Sequence, residues 1–183
     1  MELVKTLQST KILKVILITI LGSLALTISA KLKIPFYPVP MTMQTFVVLL
    51  IGMLFGYKIG IATVSLYLVE GIVGLPVFSN SPERGIGLAY FTGPTMGYLI
   101  GFLSATFFAG YFSYRKSYFM NFIKLILSVS TIYLFGLIWL GNLLGWDKPI
   151  FELGAAPFLL AELFKILLLT LLSKWTINFR KFI

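Results

Sequence analysis

The sequence contains no cysteine and no histidine among its 183 residues. The absence of cysteine excludes a disulfide framework, a thiolate metal site and a cysteine nucleophile. The absence of histidine excludes serine–histidine catalysis, histidine-ligated zinc or haem, and the usual proton shuttle near neutral pH. Because most familiar catalytic arrangements are ruled out, we expect a protein that is not an enzyme and that uses no cofactor or metal.

Charged residues are also scarce: they make up 11% of the chain, against 58% hydrophobic residues and a mean hydropathy of +0.97. A soluble domain carries about a quarter charged residues. The chain is therefore expected to be an integral membrane protein surrounded by lipid, and six spans of about 20 residues fit its length. The net charge of +9 does not indicate nucleic-acid binding, because the basic residues are dispersed between apolar runs.

The apolar runs predict an all-α membrane protein, a six-transmembrane-helix bundle that forms one domain over residues 1–183. The predicted helices are approximately 12–30, 41–55, 59–73, 93–112, 119–140 and 155–173. A basic start followed by an apolar run is also typical of a signal peptide. The first run is long for that, and no small-x-small cleavage site precedes Lys31, which favours a membrane helix. Three prolines in residues 31–40 predict an extended loop.

The basic residues favour one side of this predicted bundle. With a cytoplasmic N-terminus, the inner side holds Lys5, Lys11, Lys14, Lys58, Arg115, Lys116, Lys124, Lys174, Arg180 and Lys181. The outer loops hold only Lys31, Lys33, Arg84 and Lys148. Cytoplasmic loops collect lysine and arginine, so we expect a multi-pass protein of the cell membrane with both termini in the cytoplasm. The outer loops are longer and richer in proline, and we expect function there.

Glu162 and Lys165 lie inside the sixth predicted helix, in the run PFLLAELFKILLLTLL. A charge inside the bilayer costs about 2.5–3.5 kcal/mol, so such residues face the bundle interior and mark sites. Three residues apart on a helix, the two side chains share one face. They either neutralise each other or grip a ligand, with Lys165 taking a carboxylate or carbonyl and Glu162 accepting a hydrogen bond from an N–H group.

Four further residues are candidates for ligand contact. Gln44 follows the proline loop, where its amide can donate and accept; its neighbour Thr42 either caps the helix or meets the ligand. Asn80 lies in the polar loop after the third helix. Phe78 and Tyr90 either wall an apolar pocket or anchor the chain at the membrane surface.

Small residues recur every fourth position in three helices: Gly52, Gly56 and Gly60; Gly93, Gly97 and Gly101; and Ala25 and Ser29. Such stripes let helices approach closely in lipid. The glycines predict packing within the bundle, whereas the stripe on the first helix could dock another membrane protein.

Three segments together resemble the BioY family, the substrate-binding S components of energy-coupling factor (ECF) biotin transporters. They are PVPMTMQTFVVLLIGMLFG (38–56), GLPVF (74–78) and GPTMGYLIGF (93–102). The resemblance implies a six-helix bundle with a biotin pocket near the outer face. It implies that Glu162, where the family's usual acid is aspartate, and Lys165 contact biotin, with Asn80 as the contact from the loop after GLPVF.

The resemblance also implies partners. The family's first helix docks the transmembrane coupling protein through a stripe that here reads Ala25 and Ser29, and two ATPase subunits supply the energy. The chain has no G-x-x-x-x-G-K-[ST] loop of its own. Three alternatives stay open: an S component for another vitamin, a structural membrane subunit, and an intramembrane enzyme with Glu162 as base and Lys165 as acid or nucleophile.

Overall fold

The computed structural model describes residues 2–34, 37–114 and 117–179. Arg115, Lys116, Arg180 and Lys181, which entered the charge count, lie outside these ranges. The elements in order are α1 (Glu2–Lys31), β1 (Lys33–Ile34), β2 (Met41–Thr42), α2 (Gln44–Ile72), a 3₁₀ helix (Gly87–Thr92), α3 (Met96–Tyr111), α4 (Tyr118–Leu144), α5 (Ile150–Gly154), a second 3₁₀ helix (Ala156–Phe158) and α6 (Leu159–Phe179). Helix α2 packs against α1, α3 and α6, and α4 packs against α3 and α6.

Helix α2 is folded back on itself at Gly56. This residue has φ +78° and ψ 172°, a conformation that glycine adopts without a Cβ penalty. In a straight helix residues 44 and 67 would lie about 34 Å apart, yet Gln44 Nε2 donates a hydrogen bond of 2.7 Å to Tyr67 Oη. Residues 44–55 and 57–72 therefore form two antiparallel arms. The sequence predicts helices over 41–55 and 59–73, and the break between them is this single glycine.

Glycines bring neighbouring helices into close contact, as their spacing predicts. A Cβ on Gly97 would lie 2.4 Å from Phe135 O, and one on Gly101 would lie 2.6 Å from Ile132 Cα. Both distances are too short for any larger residue, so α3 and α4 meet backbone to backbone. A Cβ on Gly60 would likewise lie 3.4 Å from Gly52 Cα, which shows how closely the two arms of α2 approach.

The boundaries of four predicted helices shift in the structure. Helix α2 starts at Gln44 rather than 41, because Met41 and Thr42 pair antiparallel with Ile34 and Lys33. Helix α3 spans 96–111 rather than 93–112, because a 3₁₀ helix and an extended Gly93 precede it. Helix α4 runs beyond 140 to 144, and α1 starts before 12.

The sixth predicted helix, over 155–173, is divided. Helix α5 ends at Gly154, a 3₁₀ helix with proline in its first turn follows, and α6 then runs from 159 to 179. Pro157 has no backbone N–H to donate, so the turn there cannot continue as a regular helix.

Four helical stretches in the described parts of the chain are long and apolar enough to cross a membrane: Lys11–Lys31, Gln44–Ile72, Tyr118–Leu144 and Ile150–Thr176. Met96–Tyr111 is a shorter apolar helix. Large apolar side chains also cover the outside of the bundle, and Leu160 and Phe164 on α6 are 80% and 72% exposed. Such a surface suits contact with lipid rather than water.

Candidate ligand-binding site

A partly open cavity of about 60 Å³ lies at one end of the bundle, where the first arm of α2 meets α3, α4 and α6. Its walls are largely aromatic: Phe78, Tyr90, Tyr98, Phe102, Tyr133 and Phe158. Its polar lining comes from Thr42, Gln44, Thr45, Ser79, Thr95, Glu162 and Lys165. Mostly apolar walls with a few converging polar groups are typical of a small-molecule site.

The polar side of the cavity is built around Glu162 and Lys165. The two residues are 4% and 6% exposed, and Lys165 Nζ lies 2.7 Å from Glu162 Oε1. Lys165 also donates to Thr42 O at 2.7 Å and to Thr45 Oγ1 at 3.0 Å. An ammonium group has three N–H donors, and here each has an acceptor. The amine therefore has no donor left for a ligand carboxylate in this conformation, contrary to the role expected from the sequence.

The carboxylate of Glu162 has one satisfied oxygen and one unsatisfied oxygen. Oε1 accepts from Lys165 and from the Thr45 hydroxyl at 2.7 Å. Oε2 is buried and accepts no hydrogen bond of ordinary length among the described residues, although the Tyr133 hydroxyl lies near enough to interact with this carboxylate. An unsatisfied buried acceptor costs about 1–3 kcal/mol. A ligand that brings an N–H or O–H donor to Oε2 would remove this cost.

Gln44 lines the cavity and also holds the two arms of α2 together. It is 4% exposed, and its amide nitrogen donates to the Tyr67 hydroxyl, which donates in turn to Val77 O at 3.2 Å. The Thr42 hydroxyl accepts a hydrogen bond of 3.3 Å from the Gln44 backbone N–H and also faces the cavity. Thr42 therefore supports the start of α2 and lines the cavity, and its contact with a ligand stays a prediction.

Phe78 forms the centre of the aromatic wall. It is 1% exposed, and its ring stacks on Tyr90 at a centroid distance of 4.6 Å and meets Tyr67 edge-on at 5.3 Å. The absence of a side chain on Gly71 makes room for it, since a Cβ there would lie 2.0 Å from the ring. Ser79 follows and shares a 3.4 Å hydrogen bond with the Tyr90 hydroxyl. These contacts fix the loop after α2 over the cavity.

The sequence matches the profile of the BioY family over residues 4–181. This chain belongs to the BioY family. A protein named "Probable biotin transporter BioY" from Pyrococcus horikoshii is 35% identical over 76% of this chain and 81% of its own length. The biotin transporter BioY of Thermotoga maritima is 32% identical over 81% of this chain and 86% of its own.

The BioY chain also shares its fold with a solved structure. The S-component for biotin from an ECF-type ABC transporter superimposes with a TM-score of 0.78, at 24% sequence identity, over 92% of this chain and 93% of that one. The family and the apolar helices together identify a multi-pass membrane protein of transporter type. Its fold is the all-helical fold of that S-component.

Five of the six ligand contacts predicted for this BioY chain line the cavity, and Asn80 does not. Its side-chain oxygen accepts a 3.2 Å hydrogen bond from Lys33 Nζ. It borders a smaller neighbouring cavity of about 30 Å³, together with Arg84 and Tyr90. The residue from this loop that does reach the main cavity is its neighbour Ser79.

The two residues predicted to dock a partner differ in exposure. Ser29 is 3% exposed, and its hydroxyl donates to Leu26 O at 2.7 Å, so it faces the bundle interior. Ala25 is half-buried. In this conformation the small-residue stripe on α1 therefore does not form one exposed face.

Tyr98 and Tyr133 are among the cavity residues that were not predicted from the sequence. Tyr98 lies in the GPTMGY motif, and its hydroxyl donates to Gly154 O at 2.9 Å, which ties α3 to α5. Its position in this motif could have identified Tyr98 as a candidate site residue. Tyr133 lies on α4 and meets the Tyr98 ring at 6.2 Å. No binding motif surrounds it in the sequence, so only the packing of α4 against α3 reveals it.

Proposed function

We propose that this BioY chain is the substrate-binding S component of an ECF-type biotin transporter and not an enzyme. It captures biotin from the outer side of the cell membrane, and partner subunits power its uptake. The observation that carries the proposal is the buried, unsatisfied Glu162 Oε2 in the wall of an aromatic cavity. The relatives named for biotin transport agree with it.

Biotin matches the chemistry of this cavity group by group. Its ureido N–H can donate to Glu162 Oε2, which accepts no hydrogen bond of ordinary length from the described residues. Its apolar, sulfur-containing bicycle suits the walls formed by Phe78, Tyr90 and their neighbours. In this arrangement Lys165 holds the Glu162 carboxylate in position, and Gln44 offers its amide oxygen at the same end. The valerate tail then points away from the ion pair.

Binding requires the cavity to widen. Small-molecule pockets measure about 300–1,000 Å³, whereas this cavity measures about 60 Å³. The wall around Phe78 and Ser79 belongs to a loop rather than a membrane helix. We therefore place the required movement in the 73–86 loop, and the buried part of α6 stays fixed.

We propose that the chain forms one membrane domain over residues 1–183, with six spans and both termini in the cytoplasm. The two arms of α2 count as separate spans, which is supported by the contact between Gln44 and Tyr67. The unequal distribution of basic residues supports this orientation. The cavity then lies at the outer end of the bundle, where substrate arrives.

A transmembrane coupling protein and two ATPase subunits are the partners proposed for uptake. The chain has no phosphate-binding loop of its own, so it needs them for ATP-driven transport. Docking through α1 would use Ala25, because Ser29 is buried. The exposed apolar side chains of the bundle would contact membrane lipid.

A competition experiment tests the proposed ligand. Purified chain in lipid nanodiscs is incubated with radiolabelled biotin and an excess of unlabelled biotin, thiamine, riboflavin or pantothenate. We expect only unlabelled biotin to displace the label, and the label to be recovered chemically unchanged. Displacement by another vitamin would support an S component of different specificity, and conversion of the label would support an enzyme. The absence of saturable binding to any vitamin would favour a structural subunit.

A further inference from the structure

Two lysines near the end of α1 hold the loop that covers the cavity. Lys31 Nζ donates to Phe78 O and to Ser81 O, each at 2.8 Å. Lys33 Nζ donates to Ser79 O at 2.7 Å. Three backbone carbonyls within four consecutive residues thus converge on two ammonium groups from a distant part of the chain. Hydrogen bonds from a charged donor are about twice as strong as neutral ones.

Lys33 also fixes the side chain in the middle of this loop. Its Nζ donates to Asn80 Oδ1 at 3.2 Å, in addition to the backbone of Ser79. The loop therefore receives four hydrogen bonds from the two lysines. Neither lysine lines the cavity of about 60 Å³, so both affect the cavity only through the loop that they bind.

Besides the packing of Phe78 against Tyr67 and Tyr90, the loop has internal hydrogen bonds that do not reach the bundle. The Ser81 backbone N–H and hydroxyl both donate to Phe78 O, at 3.2 and 2.8 Å, which closes a local turn. Such a turn can move as a unit. The hydrogen bonds from Lys31 and Lys33 connect that turn to α1 and β1, and Phe78 and Ser79 reach the cavity from it.

We propose that Lys31 and Lys33 are positioning residues that keep the 78–81 loop closed over the ligand, an inference that rests on the proposed function. Both belong to the small group of basic residues on the proposed outer side, where lysine is disfavoured. Their hydrogen bonds to the 78–81 loop give Lys31 and Lys33 a reason to lie on that side. Breaking their hydrogen bonds frees the wall that contains Phe78 and Ser79, so bound ligand escapes faster.

The first test measures the loop itself and needs no ligand. Hydrogen–deuterium exchange of the full chain in nanodiscs is compared among wild type, Lys31→Met, Lys33→Met and the double variant. We expect faster exchange in peptides that cover residues 77–82 and unchanged exchange in α3 and α4. Lys11→Met, about 30 Å away along α1, is the control and should match wild type. Unchanged exchange at 77–82, or an equal increase throughout the bundle, would overturn the inference.

The second test measures ligand escape. Radiolabelled biotin is bound and then chased with unlabelled biotin. We expect dissociation to be about 5-fold faster for each single variant and about 20-fold faster for the double variant. Lys31→Arg and Lys33→Arg, which keep a charged donor, should dissociate more slowly than the methionine variants. Dissociation at the wild-type rate in the double variant would contradict the inference. If wild type binds no biotin, the proposed function fails, and the exchange result alone decides the role of the lysines.

Discussion

The described residues include two lysine–carboxylate pairs that differ in their surroundings. Lys165 and Glu162 meet at 2.7 Å with side chains only 8% and 6% exposed, inside α6. Lys148 and Asp147 meet at 3.3 Å with side chains 57% and 73% exposed, in the loop after α4. Water screens the second pair, whereas the first pair depends on protein partners alone. The comparison shows that burial, and not the presence of an ion pair, marks the site.

The largest difference is expected in thermal stability, between a variant that lacks Lys165 and one that lacks Lys148. Lys165→Met leaves Glu162 buried without its counter-ion, which costs about 3–5 kcal/mol. Lys148→Met removes an exposed contact worth below about 1 kcal/mol. Thermal unfolding in nanodiscs should therefore show a large decrease in Tm for the first variant and almost none for the second. Equal decreases would mean that the buried pair has no special role.

Replacing the carboxylates of the two pairs should give the next largest difference, which is in ligand affinity. Glu162→Gln keeps the shape of the side chain but weakens the acceptor and removes its charge. We expect biotin to bind about 30-fold more weakly, which corresponds to about 2 kcal/mol. Asp147→Asn should stay within about 2-fold of wild type, because Asp147 is exposed and does not line the cavity. Equilibrium binding of labelled biotin measures both, and similar values for the two variants would contradict the assignment.

Replacing Thr45 tests whether a neighbouring hydroxyl orients the buried pair. Its hydroxyl accepts from Lys165 and donates to Glu162. Thr45→Val preserves the volume and removes both hydrogen bonds, so we expect biotin affinity to fall about 5-fold, or about 1 kcal/mol. The control is Thr92→Val, whose hydroxyl donates only to the nearby Ala89 O on an exposed turn. An unchanged affinity in Thr45→Val would show that the hydroxyl does not orient the pair.

Replacing Glu70, a third carboxylate, should change biotin affinity least. It lies two residues before the end of α2, is half-buried, and accepts a hydrogen bond from the Ser23 hydroxyl. Glu70 is not among the residues that line the cavity. In Glu70→Gln, Ser23 can still donate to the amide oxygen, so we expect biotin affinity to stay within about 2-fold of wild type. A loss as large as that of Glu162→Gln would place a ligand contact outside the cavity.

The sequence was informative about features that depend on residues close together in the chain. A carboxylate and an amine three residues apart in an apolar helix must find partners inside the protein, and both line the cavity. The spacing of Gly97 and Gly101 likewise predicted close packing within the bundle, and the structure shows it between α3 and α4. These inferences need only helix periodicity and the cost of a charge in lipid.

The sequence was less informative where distant segments meet. The third donor of Lys165 reaches Thr42 O on β2, a contact that no local pattern predicts and that changes the expected role of the amine. Asn80 was predicted as a ligand contact from its loop, but Lys33, 47 residues away, engages its side chain. Tyr133 became a cavity residue only through the packing of α4 against α3.

The central claim is that Glu162 Oε2 accepts a hydrogen bond from a ureido N–H of biotin. The most direct measurement compares the affinities of biotin and of biotin methylated on both ureido nitrogens, in wild type and in Glu162→Gln. We expect methylation to weaken binding about 30-fold in wild type and only a few-fold in the variant, because the two changes remove the same contact. An equal loss in both proteins, or no saturable binding of biotin to wild type, would contradict the claim.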